Sequence, residues 1–276
     1  MKKFLFSWVV VSVVLGFLGE SSASTLYVDA NSTTPVAPFS SWVTAATNIQ
    51  NAVDASVAGD TVSVTNGHYL LSSEITVGKN IAIQSVHGSD VTIVDGGGTT
   101  RCFNLGNSAC LISGFTIQNG YSSDSGGGIY CSDATPVVSN CTISGNSVTS
   151  SGGGMFRGTA DNCTISGNSA WAGGGMRYGT ANNCMISENS ADWGGGMESS
   201  TANNCMISGN SASIGGGGMS LGTANDCTIS GNSASGSGGG MYDGTANNCT
   251  IRDNTSDSWG GGIHGSTASN CEIMNN

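Results

Sequence analysis

Cysteine dominates the chemistry open to this chain. Ten Cys stand among 276 residues, with 3 His, 7 Lys+Arg and 18 Asp+Glu. Seven of the ten recur as Cys141, Cys163, Cys184, Cys205, Cys227, Cys249 and Cys271, at gaps of 22, 21, 21, 22, 22 and 22 residues. Such thiols are disulfide partners, metal ligands or buried hydrophobes. Metal ligation fits poorly, because Cys-x-x-Cys pairs are absent and His68, His87 and His264 lie far apart in the sequence. No metal or other cofactor is expected.

The elements that hold these thiols follow from the residues around them. An Ile lies two positions after each ladder Cys, from Ile143 to Ile273, and an Asn five after, from Asn146 to Asn276. Gly-Gly-Gly precedes Met155, Met176, Met197, Met219 and Met241, with Ile129 and Ile263 in the same slot. Cys-x-Ile alternates as a strand does. Helical repeats are longer and exclude this much Gly, and leucine-rich repeats need a Leu scaffold. A unit of 21–22 residues fits one coil of a parallel β-helix, in which each coil pairs with the next at about 4.8 Å. The class is therefore all-β, a parallel β-solenoid of about ten coils between residues 62 and 276, with regular repeats from about residue 120. Every recurring residue becomes a ladder. Cys and Ile point inward, Met fills irregular interior space, Asn bonds to its own copies at a bend, and Gly permits another bend. Thr-Ala in Gly158-Thr159-Ala160 and its copies suits a third corner. Asn140, Asn162 and Asn248 open Asn-x-Thr sequences and read as bend residues.

Stacking also decides the cysteines. Parallel Cα–Cβ bonds about 4.8 Å apart do not bring two Cβ atoms to the ~3.8 Å of a disulfide. The ladder is read as buried free thiols, and Cys102, Cys110 and Cys131, outside it, are the better disulfide candidates.

Upstream the repeats are looser. Alternating apolar pairs occur at Val62/Val64, Ile75/Val77, Ile81/Ile83, Val91/Ile93 and Phe115/Ile117. Before them Ile49, Ala52 and Val53 follow a helical period, which predicts a short helix capping the first coil. Residues 24–61 form this N-terminal segment. Residues 1–23 read as a signal peptide: Lys2-Lys3, an apolar run from Phe4 to Leu18, then Ser21 and Ala23 at a cleavage site. Removing them leaves 5 basic and 17 acidic residues. No basic patch remains, so nucleic acid is not an expected partner. The chain stops at Asn276 in mid-coil, which reads as a truncated C-terminus whose missing part would carry any membrane anchor.

Leu26-Tyr27-Val28-Asp29-Ala30, Ile49-Gln50-Asn51-Ala52-Val53 and Gly59-Asp60-Thr61-Val62 resemble secreted right-handed parallel β-helix proteins of the pectin-lyase-like superfamily. The Gly-Gly-Gly-Ile/Met and Cys-Thr-Ile-Ser-Gly-Asn units resemble the repeats of bacterial polymorphic outer-membrane proteins. The resemblance implies a right-handed coil and a protein secreted by, or held at the surface of, a bacterium. It also implies a carbohydrate-active enzyme as an alternative to non-catalytic surface display or adhesion.

Catalysis on this fold needs clustered charge. A glycoside hydrolase uses two carboxylates, and a lyase uses a base with calcium held by acidic groups. The column after Met/Ile reads Tyr130, Phe156, Arg177, Glu198, Ser220, Tyr242, His264, in which Arg177 and Glu198 are predicted to pair on the surface. No paired-carboxylate column appears, and loops near Asp95, Arg101 or Asp124 are the remaining place for one. No catalytic residue is assigned. The Gly runs lack the Lys-Ser/Thr of a phosphate loop and the Asp of calcium-binding repeats. Trp171, Trp193 and Trp259 each fall just before a Gly run, with Ile214 in the equivalent place. In a row they would stack on sugar rings or meet a protein partner, so an extracellular glycan or a cell-surface protein is the expected partner. The competing reading folds each Trp back over its Gly bend.

Overall fold

A computed structural model describes residues 23–106, 109–133 and 135–276. The signal-peptide reading lies outside these residues, except at Ala23. Among the described residues no helix is long and apolar enough to cross a membrane.

The described residues wind into an all-β, right-handed parallel β-helix of about ten turns with one short α-helix among them, Ile49–Ala55. Each coil visits three long sheets in turn. The first has eleven strands, from Thr25–Val28 to Thr267–Ser269. The second has ten, from Gly67–Leu70 to Glu272–Met274, and the third nine, from Ile75–Val77 to Ile263–His264. Short two- and four-stranded sheets, the latter spanning Ser190–Trp193 to Thr255–Ser256, link the second to the third. All strand pairs are parallel and most join equals: Ile165 to Ile186, Met176 to Met197, Ala181 to Ala202.

The ladders form as the alternation requires. The Ile, Met and Ala columns are buried down to Ile251, Met241 and Ala246, and the ladder Cys down to Cys249. Each thiol is also a hydrogen-bonding joint. Cys163 Sγ donates to Val138 O at 3.4 Å and Asp161 O at 3.3 Å, and Cys163 N–H donates to Cys184 Sγ at 3.4 Å. Phe115 heads this column, its N–H donating to Cys141 Sγ. The Asn ladder leaves no polar atom idle. Asn168 Nδ2 donates to Ile143 O and to Asn189 Oδ1, which also accepts Asn168 N–H. Gly is obligatory beside it: a Cβ on Gly153 would lie 2.4 Å from Gly174 O and 2.5 Å from Ser169 O.

Three expectations are corrected. Thr-Ala-Asn is a strand of the first sheet with a buried Ala, as in Thr159–Asp161, and the corner is the left-handed residue before it, such as Arg157 or Tyr178. At Val91/Ile93 the register is one residue off. Thr92 and Val94 point inward and Val91 is exposed, because Tyr69, Val94 and Ile117 share a rung column and a one-residue slip exchanges the faces. The first sheet also begins upstream of the expected solenoid start, at Thr25. The helix Ile49–Ala55 then buries Ile49, Ala52 and Val53 against the first rungs, capped by Asn48, whose side chain accepts Asn51 N–H at 2.9 Å.

Candidate functional site

The outer face of the third sheet carries the column Tyr130, Phe156, Arg177, Glu198, Ser220, Tyr242, His264 in unbroken register. Parallel pairing places these side chains one rung apart, and their chemistry divides the face into three parts. At one end Tyr130 and Phe156 stack with centroids 5.6 Å apart, and Tyr178 meets Phe156 edge-on at 5.8 Å. At the other end Tyr242 stacks on His264 and receives Trp193 edge-on, both at 5.4 Å. Between them lie Arg177 and Glu198.

Arg177 and Glu198 do pair, but the pair is not a surface one. The Glu198 side chain is 5% exposed and that of Arg177 18%. The walls around them explain the burial. Ser199 Oγ donates to the second Glu198 oxygen at 2.8 Å. The Arg177 guanidinium donates to the Glu198 carboxylate, the Ser151 hydroxyl and, at 3.0 Å, the Tyr178 hydroxyl, while lying over the Tyr178 ring. Such a pair is costly to desolvate, so breaking one partner leaves the other buried and uncompensated.

Above this pair opens a cleft of about 390 Å³ lined by Trp171, Ala172, Arg177, Trp193, Glu198, Leu221, Tyr242 and Asp243. Trp171 is 49% exposed and Trp259 71%. Trp171 and Trp193 therefore meet at one cleft, whereas Trp259 is absent from its lining. The three do not form one row. Ala172 and Gly215 are the rung neighbours of Trp193, so Trp171 and Ile214 sit one residue before that column. Trp259 continues it beyond Ser237. Tyr242 stood in the column read from the sequence, but its place in a cleft with Leu221 and Asp243 was not expected. The aromatic column was legible; its meeting with Trp171 and Trp193 depends on how the Gly bend folds the chain back.

The less regular half holds closed polar knots. Asp95 accepts from Gln118, Gly97 N, His68 and Asn119. Burial alone would raise its carboxyl, but these donors outweigh it and hold it at about 2. Arg101 is spent on Glu74, Ser122 and the carbonyls of Ser125 and Gly126. Asp124 N–H donates to Ser122 Oγ. None of the ten Cys forms a disulfide, and the expectation for Cys102, Cys110 and Cys131 is corrected. Cys102 donates instead to Gln118 O at 3.4 Å, and burial followed by the Asp95 charge pushes its thiol up to about 12. Burial likewise raises Cys131. These are poor nucleophiles. No group of three or more His, Cys, Asp or Glu able to hold a metal ion occurs among the described residues.

Comparison with solved structures finds the fold. Pectate lyase Pel9A superposes with a TM-score of 0.62 at 14% identity, covering 91% of this chain and 79% of its own. A pectin methylesterase in complex with a hexasaccharide gives 0.45 at 10% identity, covering 87% and 82%. A polysaccharide lyase from Pseudopedobacter saltans gives 0.43 at 14%, covering 73% and 61%. No curated protein matches the chain by sequence. A family profile, described as periplasmic copper-binding protein (NosD), matches residues 106–276, which is more than half of the chain and all of its regular repeats. By that match the chain belongs to the NosD family.

Proposed function

We propose that this chain is an exported, non-catalytic β-helix repeat protein of the bacterial cell surface, whose aromatic cleft engages an extracellular glycan. The observation that carries the reading is the half-exposed Trp171 beside Trp193 and Tyr242, over a charge pair already satisfied within the protein. An indole face offers apolar area to the C–H face of a sugar at little entropic cost. Glu198 is engaged by Arg177 and Ser199, so it is not poised as an acid or base. Export is supported by the periplasmic description of the family and by the N-terminal sequence.

The family description names copper. Thiolate, thioether and imidazole suit copper. Here the ladder thiols are buried and donate to backbone carbonyls, and the Met column from Met155 to Met241 is buried without exposure. No His joins either ladder in a cluster able to hold a metal. These residues do not fit a copper site.

The test retains the full exported chain and its Trp171→Ala variant on immobilised cell-surface glycans, and assays the mixture for unsaturated uronate products with calcium. Protease shaving of intact cells reports location. Retention by the wild type, at least about tenfold weaker in the variant (~1.4 kcal/mol), with no product and with cleavage on intact cells, is expected. Product formation favours the carbohydrate-active enzyme instead, and resistance to shaving removes surface display.

A further inference from the structure

We infer that the cleft accepts a neutral pyranose polymer and rejects a polyuronate; this rests on the proposed reading of the cleft as a glycan site. Electrostatics decides the class of sugar. The lining holds one cation, Arg177, and two carboxylates, Glu198 and Asp243. The charge of that cation is already balanced by Glu198, and three of its five N–H groups go to Glu198, Ser151 and Tyr178. A uronate carboxylate would compete with Glu198 for that one positive charge, and Glu198, itself 4% exposed, would be left buried with a weakened counter-charge. The surroundings repel such a polymer as well, since the chain carries 18 acidic against 7 basic residues.

Calcium does not rescue a polyuronate here. A calcium ion takes six to eight oxygen ligands. Glu198 accepts from both Arg177 and Ser199, which leaves Asp243 as the one uncommitted carboxylate of the lining.

What remains free suits hydroxyls. The Asp243 carboxylate makes no hydrogen bond within the protein among the described residues and lines the cleft, so it can accept from sugar O–H groups. Trp171 supplies the apolar platform. A neutral sugar uses both without bringing further charge to the cleft.

Affinity electrophoresis of the full chain distinguishes the outcomes. The gels contain soluble β-1,3-glucan, xyloglucan, galactomannan or polygalacturonate, the last with and without calcium, at low and physiological salt. We expect retardation by at least one neutral polymer, insensitive to salt and weakened at least about tenfold by Trp171→Ala. No retardation by polygalacturonate is expected until Asp243→Lys adds a free cation. Polygalacturonate retardation of the wild type that Trp171→Ala abolishes overturns the neutral assignment and leaves the cleft as the glycan site. Retardation by any polymer that Trp171→Ala leaves intact overturns the cleft reading. Retardation by none of the polymers overturns both.

Discussion

The two halves of the solenoid reach the same fold with different materials. From Thr25 to Phe115 the interior is filled by large side chains: Val64, Tyr69, Ile83, Phe103, Leu105, Ile112 and Phe115 are buried. From Val137 onward it is filled by small or flexible ones, with Ala, Cys, Ile and Met repeating in each coil. Less apolar volume per coil is offset by polar order: a continuous Asn ladder and sulfur bonds at every coil. The upstream half instead closes its polar groups in single knots, around Asp95 and Arg101. Packing of large side chains tolerates an uneven repeat, whereas a ladder demands a constant one. That is why the downstream half is the half whose period is visible.

The contrast predicts where each half breaks. The largest effect is expected in the upstream core. Phe103→Ala removes a fully buried ring that packs against Phe115, at a cost of about 3–5 kcal/mol. Contacts in a solenoid reach only neighbouring coils. Hydrogen exchange should therefore accelerate across residues 61–118 and remain slow in the strands from Thr180 to Arg252. Uniform acceleration would show one cooperative unit instead of two regimes.

A smaller loss is expected from Asn189→Ala. It strands the Asn168 backbone and side-chain N–H groups, which both donate to Asn189 Oδ1, and costs about 2–3 kcal/mol. The damage should centre on the coils of Asn168, Asn189 and Asn210. If urea unfolding of this variant matches the wild type, the ladder is ornament and the apolar columns alone hold the downstream half.

The smallest effect is set by acid and separates the halves again. The folded Asp95 carboxyl is held at about 2, below an ordinary value near 3.9. Its contribution is complete above about pH 4 and is lost as pH falls toward 2. Exchange near His68, Asp95 and Gln118 should rise over that interval, and Asp95→Asn should flatten the response. The Asn-ladder bonds contain no titrating group, so their amides should report no matching step.

Much of this was legible because a solenoid is nearly one-dimensional. Column register follows from counting, so Cys163 over Cys184 and Arg177 beside Glu198 were readable as neighbours. The slip at Val91/Ile93 was not, since Val91-Thr92-Ile93-Val94 offers two alternations and only the neighbouring Tyr69 and Ile117 choose between them. Cys102, Cys110 and Cys131 fell outside any repeat, and counting could not place them apart from a disulfide.

The sequence by itself determined the coil, its period, its ladders and the short helix that precedes Val62, because identical residues at a constant interval leave one way to stack. Only the tertiary structure decided the cleft. Trp171 and Trp193 both precede Gly runs, yet they differ by one position at the bend, and that offset brings them together over Arg177 and Glu198 while Trp259 stands clear. It also buried a charge pair that adjacency alone would leave at the surface. Position along a coil is set by local alternation; what faces what across a bend is set by the path of the backbone around glycines, which no side chain announces.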